Sequence, residues 1–162
     1  MLVDLSPLLY AVINRPLASV SFMTDACPFG AACCLRTLPR ASRDRRREAT
    51  ITKGHIRDYN VVSQFQFSNP APNQVLREAA GVLLAVQRRR DPGLVFTIFS
   101  DSATVIAAMK KGRSSSRGLN CILRKMSARG LHRKQKYCIR FVTGTENYAD
   151  GPSRGLRFPS VP

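Results

Sequence analysis

Leu94-Val95-Phe96-Thr97-Ile98-Phe99-Ser100-Asp101, residues 94–101, decides the fold. The run is bounded upstream by Asp91-Pro92-Gly93, is rich in β-branched and aromatic residues and is too short for a globular helix, so it predicts a buried strand. Asp101 closes this strand and leads into Ala103 to Lys111, a helical stretch ended by Gly112 in a C′ role. The carboxyl end of such a strand borders the usual ligand crevice of an open α/β sheet. The competing role for Asp101 is a helix cap onto the amides of Ala103 or Thr104.

Upstream, Gln74 to Arg90 reads as an amphipathic helix with Val75, Leu76, Ala79, Leu83 and Val86 on its apolar side, entered from the breaker cluster Ser68 to Asn73. Glu78 falls with Val75 and Val82 on that side, away from Arg77 and Arg88. A structural ion pair or a residue at the edge of the stripe is the simpler reading of such a glutamate. Leu17 to Thr24 predicts a buried strand, Pro28-Phe29-Gly30 a turn and Ala31 to Thr37 a returning antiparallel strand. Asp25 sits where that first strand ends, a place where turn-forming aspartates are common. Ala49 to Ile56 and Val61 to Phe67 both have β character, and the second is the better third strand.

Beyond residue 111, Gly112 to Gly118 is a Ser-rich hinge, Leu119 to Leu131 a basic helix and Tyr137 to Thr143 a last strand. Residues 5–13 suit a short apolar helix ended by Asn14 and Pro16. Residues 39–48 are strongly basic, either a solvated tip or a nucleic-acid contact. The order is three strands, a helix, a strand, helices, a strand and a short C-terminal segment, an α/β arrangement with a mixed five-stranded sheet. A domain over 17–156 follows, with 1–16 as an N-terminal segment and 157–162 as a tail.

The chain has 162 residues, enough for one domain with a substantial core. Its 26 Lys and Arg against 10 Asp and Glu give a formal charge of +16, which calls for a polyanionic partner, nucleic acid before an anionic membrane or an acidic protein. Cys27, Cys33, Cys34, Cys121 and Cys138 are odd in number and lack zinc-ligand spacing, so reduced thiols in an intracellular protein, nuclear or cytoplasmic, are expected. No apolar run approaches the length of a membrane span, and the first residues have neither a secretory nor an Arg-rich transit pattern.

Against this basic background the positions of Asp25, Glu78, Asp101 and Asp150 stand out. Carboxylates at strand ends and on a core-facing helix surface cost on the order of several kcal/mol to desolvate unless compensated, and divalent cations are one compensator. An all-oxygen site suits Mg²⁺ or Mn²⁺.

These residues carry a resemblance. Thr24-Asp25-Ala26 with Gly30-Ala31, Glu78 with Ala79, Leu83, Leu84 and Ala85, and Ser100-Asp101-Ser102 through Val105, Leu119, Asn120 and Leu123 resemble the ribonuclease H domain of a reverse-transcribing element over about residues 18–156. Glu146-Asn147-Tyr148-Ala149-Asp150-Gly151-Pro152-Ser153-Arg154 is similar to the Asn-x-Ala-Asp-x-x-Ser-Arg ending of retroelement and hepadnavirus-type domains. Tyrosine-recombinase elements and their trypanosomatid relatives look closest. No Tyr-x-Asp-Asp motif is present, so the chain resembles an excised, fragmentary or domesticated domain, the N-terminal segment being a remnant of a connection to a reverse transcriptase.

The resemblance implies a ribonuclease H-like fold and hydrolysis of the RNA strand of an RNA/DNA hybrid with two Mg²⁺ or Mn²⁺ ions. It implies that Asp25 bridges the ions, that Glu78 and Asp101 hold the leaving-group side, and that Asp150 holds the nucleophile side. Arg117, Arg124, Lys125, Arg129, Arg133, Lys134 and Lys136 lie where some members have a basic helical protrusion and are the expected nucleic-acid contacts, a solvated helix face being the alternative. A reverse-transcriptase domain of the same polyprotein is a further expected partner. The sequence departs from many cellular members in having no His between Thr143 and Ala149; His55 and His132 are expected at the surface. The competing functions are a catalytically silent nucleic-acid-binding relic and a basic protein–protein or ribonucleoprotein module.

Asp150 has two possible roles. Asn147 three residues before it has the spacing of a capping box, yet capping there would place Pro152 deep in the helix, where it costs stability. A short helix starting after Asp150, with Pro152 near its first position, predicts a free carboxylate facing Asp25 and Asp101.

Overall fold

Local sequence preferences become ten elements in the computed structural model, which describes residues 15–38, 58–68, 73–88 and 90–156. The expected helix at 5–13, the basic loop at 39–48, the alternative strand Ala49–Ile56, His55 and the tail 157–162 lie outside the described residues. The strands are β1 (Leu17–Ala26), β2 (Gly30–Thr37), β3 (Tyr59–Gln66), β4 (Val95–Ser100) and β5 (Lys136–Phe141). The helices are α1 (Gln74–Arg88), α2 (Ala103–Lys111), α3 (Arg117–His132) and the short α4 (Asp150–Ser153), with a 3-10 turn at Gly144–Glu146.

The sheet order is β3-β2-β1-β4-β5. β1 to β3 run antiparallel as a meander, whereas β4 and β5 lie parallel to β1. Alternation along β1 and β4 divides the core. Val20, Phe22, Phe96 and Ile98 face the layer of α1, α2 and α3, packing on Ala79, Val82, Val105, Leu119 and Leu123. Met23, Phe99 and Val95 face the other way, onto Leu38, Tyr59, Val142 and Ala149. Each fully buried side chain of this size contributes about 1.5–3 kcal/mol, so the sheet is held from both sides. Among the described residues no helix is long and apolar enough to cross a membrane.

The elements differ from the sequence reading mainly at their ends. β1 runs two residues past Thr24, so Asp25 lies inside the paired strand, opposite Ala32 of β2. β3 and β5 begin earlier than expected because Tyr59 pairs with Arg36 and Lys136 with Val95. α3 begins at Arg117 because Ser116 caps it, accepting from the Leu119 amide at 3.3 Å. The expected hinge before it is braced: Asn120 accepts from the Ser114 amide at 2.7 Å and donates to the Ser114 carbonyl at 2.6 Å.

The C-terminal segment docks against β2 and β3 through a close backbone approach at Gly30. A β-carbon there would lie 2.8 Å from both the Phe65 and Ser153 carbonyl oxygens. Gly30→Ala must therefore displace either β3 or the C-terminal segment, and a loss of about 1–3 kcal/mol is expected. Urea unfolding checks this as a lowered midpoint at unchanged slope; an unchanged midpoint would show that the approach is looser than described.

Candidate metal centre

The carboxyl ends of β1 and β4 are adjacent because the strands are parallel neighbours; Asp25 is the last residue but one of β1 and Asp101 directly follows β4. Glu78 reaches them from the helix layer. Two contacts fix that reach. Gln74, the first residue of α1, donates through Nε2 to the Ala26 carbonyl at 3.1 Å, tying the helix to the end of β1. Two turns later Gly81 lets the backbone come close, since a β-carbon there would lie 3.1 Å from the Asp25 carbonyl oxygen. Asn73 starts the helix by accepting from the Val75 amide at 2.9 Å.

The result is a cluster in which one carboxylate oxygen from each of Asp25, Glu78 and Asp101 lies within 4.8 Å of the others. Asp101 is not the cap of α2. Ser102 takes that role, accepting from the Val105 amide at 3.4 Å, which leaves the Asp101 carboxylate to the cluster. Glu78 Oε1 accepts from Gln74 at 2.5 Å, but Glu78 Oε2 and Asp101 Oδ1 are buried with no hydrogen-bond partner. Buried acceptors without donors are costly, and a hard divalent cation satisfies such a set of oxygens. The residues therefore fit a metal.

The electrostatics agree. Burial, reduced by the Gln74 hydrogen bond and reinforced by the charges of Asp25 and Asp101, pushes the Glu78 carboxyl up to about 7. Asp25 is also raised, first by burial, with Asp101 and Asp150 adding to it and the Ser153 hydrogen bond opposing.

Asp150 does not join the three within that distance. It is the first residue of α4, and its Oδ1 accepts from Arg154 Nε at 3.0 Å and Nη2 at 2.9 Å. The side chains of Asp150 and Arg154 are 43% and 61% exposed, so solvent screens the pair and it holds the carboxylate weakly. The capping box is absent: the Asn147 amide donates to the Gly144 carbonyl at 3.1 Å. α4 starts at Asp150, not after it, which puts Pro152 third in the helix. A missing N–H costs nothing there, because first-turn amides have no partner within the helix.

The cationic residues expected to contact nucleic acid do not form one patch. Arg117 begins α3, where Gly118 packs against Leu76 of α1, beside the helical turn that carries Gln74 and Glu78. Arg124 and Lys125 are exposed farther along the same helix, and Arg129 is half-buried. Arg133 and Lys134 belong to the turn into β5, and Lys136, the first residue of that strand, pairs with Val95 at the far end of β4 from Asp101. α3 packs along α1 instead of projecting from the fold. His132 is exposed, as expected.

The sequence reading missed Asn147 and Ser153, both 4% exposed. Ser153 Oγ donates to Asp25 Oδ2 at 2.6 Å, and Asn147 Nδ2 donates to Asp25 Oδ1 at 3.3 Å and to the Thr24 carbonyl at 3.1 Å. Gln74 was missed too. The signal for the first two was present in the Asn-x-Ala-Asp-x-x-Ser-Arg string, from which only the aspartate had been given a chemical role.

No protein-family model and no curated protein matches the chain. Solved structures do. The N-terminal RNase H domain of a Mycobacterium tuberculosis protein superposes with a TM-score of 0.55 at 14% identity, covering 84% of this chain and 91% of that one. LC11-RNase H1 in complex with an RNA/DNA hybrid gives 0.56 at 9% identity, covering 85% and 94%. The foamy viral protease-reverse transcriptase in complex with an RNA/DNA hybrid gives 0.52 at 9% identity, covering 90% of this chain and 20% of that one. The fold is ribonuclease H-like: an antiparallel β3-β2-β1 meander followed by parallel β4 and β5, with helices packed on the sheet.

A raised carboxyl pKa has a defined effect on stability. Folded Glu78 retains a proton that the unfolded chain releases, so the metal-free protein loses stability as pH rises from about 4.5 to about 7. The loss is on the order of 3 kcal/mol. In EDTA, Glu78→Gln is expected to gain stability relative to wild type across that window, and Mn²⁺ to restore wild type above it. Parallel unfolding curves for the two proteins at all pH values would contradict this.

Proposed function

We propose that the chain is a metal-dependent endonuclease that hydrolyses the RNA strand of RNA/DNA hybrids. The observation that carries the reading is the buried cluster of Asp25, Glu78 and Asp101, with two of its oxygens lacking any donor, at the end of a ribonuclease H-like sheet. Two divalent cations, when bound, would supply charge neutralisation at the scissile phosphate and an activated water. Asp25, Glu78 and Asp101 would hold them. Gln74 occupies one Glu78 oxygen and leaves the other for a ligand bond. Asp150, released from Arg154, extends the set from the first turn of α4.

The hybrid would be recognised by its backbone and its wide minor groove, where 2′-hydroxyls mark the strand to cut. Arg117, Arg124 and Lys125 are the best placed of the basic residues to contact phosphates, while Arg133, Lys134 and Lys136 add to the long-range field of the +16 chain. The Asn147 to Arg154 string supports descent from a retroelement polyprotein, with residues 17–156 as its nuclease unit.

A labelled hybrid incubated with Mg²⁺, Mn²⁺ or EDTA tests the proposal. Wild type is expected to cleave the RNA strand only with metal, and Asp101→Asn to lose on the order of a hundredfold or more in rate. Hybrid affinity should stay equal or tighten, since a negative charge near phosphate is removed. Equal cleavage by Asp101→Asn would remove the assignment, and binding without cleavage by wild type would leave a nucleic-acid-binding protein.

A further inference from the structure

Asp25 is the member of the cluster with a side-chain donor on each oxygen, and both of these side chains come from the C-terminal segment more than a hundred residues away in sequence. The Ser153 contact, at 2.6 Å, has the length of a charge-assisted O–H···O⁻ bond. The same hydroxyl lies 2.8 Å from the Asp150 carbonyl. It has one hydrogen for two acceptors, and an ionised carboxylate is the stronger of them. The Asn147 amide approaches the other oxygen and is itself fixed by the Thr24 carbonyl and the Ala149 amide. Two donors from one rigid segment define the plane of the carboxylate and leave its remaining lone pairs directed away from them.

The segment is docked by other contacts as well. Cys27 Sγ donates to the Ser153 carbonyl at 3.1 Å, Gln64 Nε2 to the Pro152 carbonyl at 2.7 Å and the Tyr148 amide to Met23 Sδ at 3.0 Å. Pro152 and Ala149 are buried beside them. The segment thus has ties of its own, and the short bond from Ser153 is directed at the carboxylate.

Resting on the metal-centre reading above, we propose that Ser153, supported by Asn147, is a positioning residue that orients Asp25 as a metal ligand. The Asn-x-Ala-Asp-x-x-Ser segment thus acts twice, presenting Asp150 on its outer side and holding Asp25 on its inner side. A hydrogen-bond donor that fixes a ligating carboxylate affects metal affinity before any substrate is present.

The test is calorimetric titration of the full chain with Mn²⁺ in the absence of nucleic acid. Ser153→Ala is expected to weaken binding about 10–100-fold, and Ser153→Cys, which keeps the size with a weaker donor, to fall between it and wild type. In an Asp25→Asn background, titrated at millimolar Mn²⁺, Ser153→Ala should have no further effect. Wild-type affinity in Ser153→Ala, or the same loss in both backgrounds, would overturn the proposal. If Ser153→Ala does not fold, Ser153→Cys carries the test, and wild-type affinity in it would overturn the proposal in the same way. A wild type that binds Mn²⁺ without cleaving hybrids would defeat the hydrolase reading and leave this one standing. A wild type that cleaves while Ser153→Ala binds normally would do the reverse.

Discussion

The carboxylate of Asp25 is negatively charged at neutral pH only at a cost in this structure, and the surrounding elements are fitted to it. Gly81 brings α1 against its backbone, Asn147 and Ser153 bring the C-terminal segment against its side chain, and Gly30 gives that segment room to dock. The hydrogen bonds offset part of the desolvation, but Asp101 and Glu78 stand close enough to add repulsion. Three carboxylates in such a place are an unfavourable arrangement for an isolated protein and a favourable one for a cation holder. The fold spends apolar burial on both sheet faces to maintain it.

The long-range and short-range electrostatics have opposite signs. A net charge of +16 draws a polyanion toward the molecule, whereas the acidic cluster would repel the same polyanion locally. Divalent cations reconcile the two, since they change the local sign without altering the outer field. The Arg154–Asp150 pair sits at this boundary, exposed and weak. A phosphate near Arg154 and a cation near Asp150 would each compete for one half of it.

Much of this was legible in the sequence because apolar periodicity reports strands and helices directly. Val95 to Ser100, α2 and the β1–β2 hairpin follow from runs of residues whose burial is their main role. Glu78 and Asp101 could be placed at the site because each interrupts such a run. What the sequence did not reveal depends on contacts between distant segments. The Asn-x-Ala-Asp-x-x-Ser-Arg string marks Ser153 but not the strand more than a hundred residues away that its hydroxyl meets, and nothing near Gly81 says that a strand carbonyl lies against it. Asp150 was misplaced by one residue of helix start, because a proline in the first turn is equally tolerated at several positions there. The basic residues of α3 look like one patch in sequence, yet a helix of that length carries its two ends to opposite ends of β4.

The reading of the molecule turns on the cluster of Asp25, Glu78 and Asp101 as a divalent-metal site. The most direct measurement is anomalous diffraction from crystals grown with Mn²⁺. Manganese density is expected in direct contact with Asp25, with Glu78 through Oε2 and with Asp101 through Oδ1. A structure with no manganese at these residues, and with Glu78 Oε2 within hydrogen-bond distance of a neighbouring carboxylate oxygen, would show that the three side chains satisfy one another without a cation.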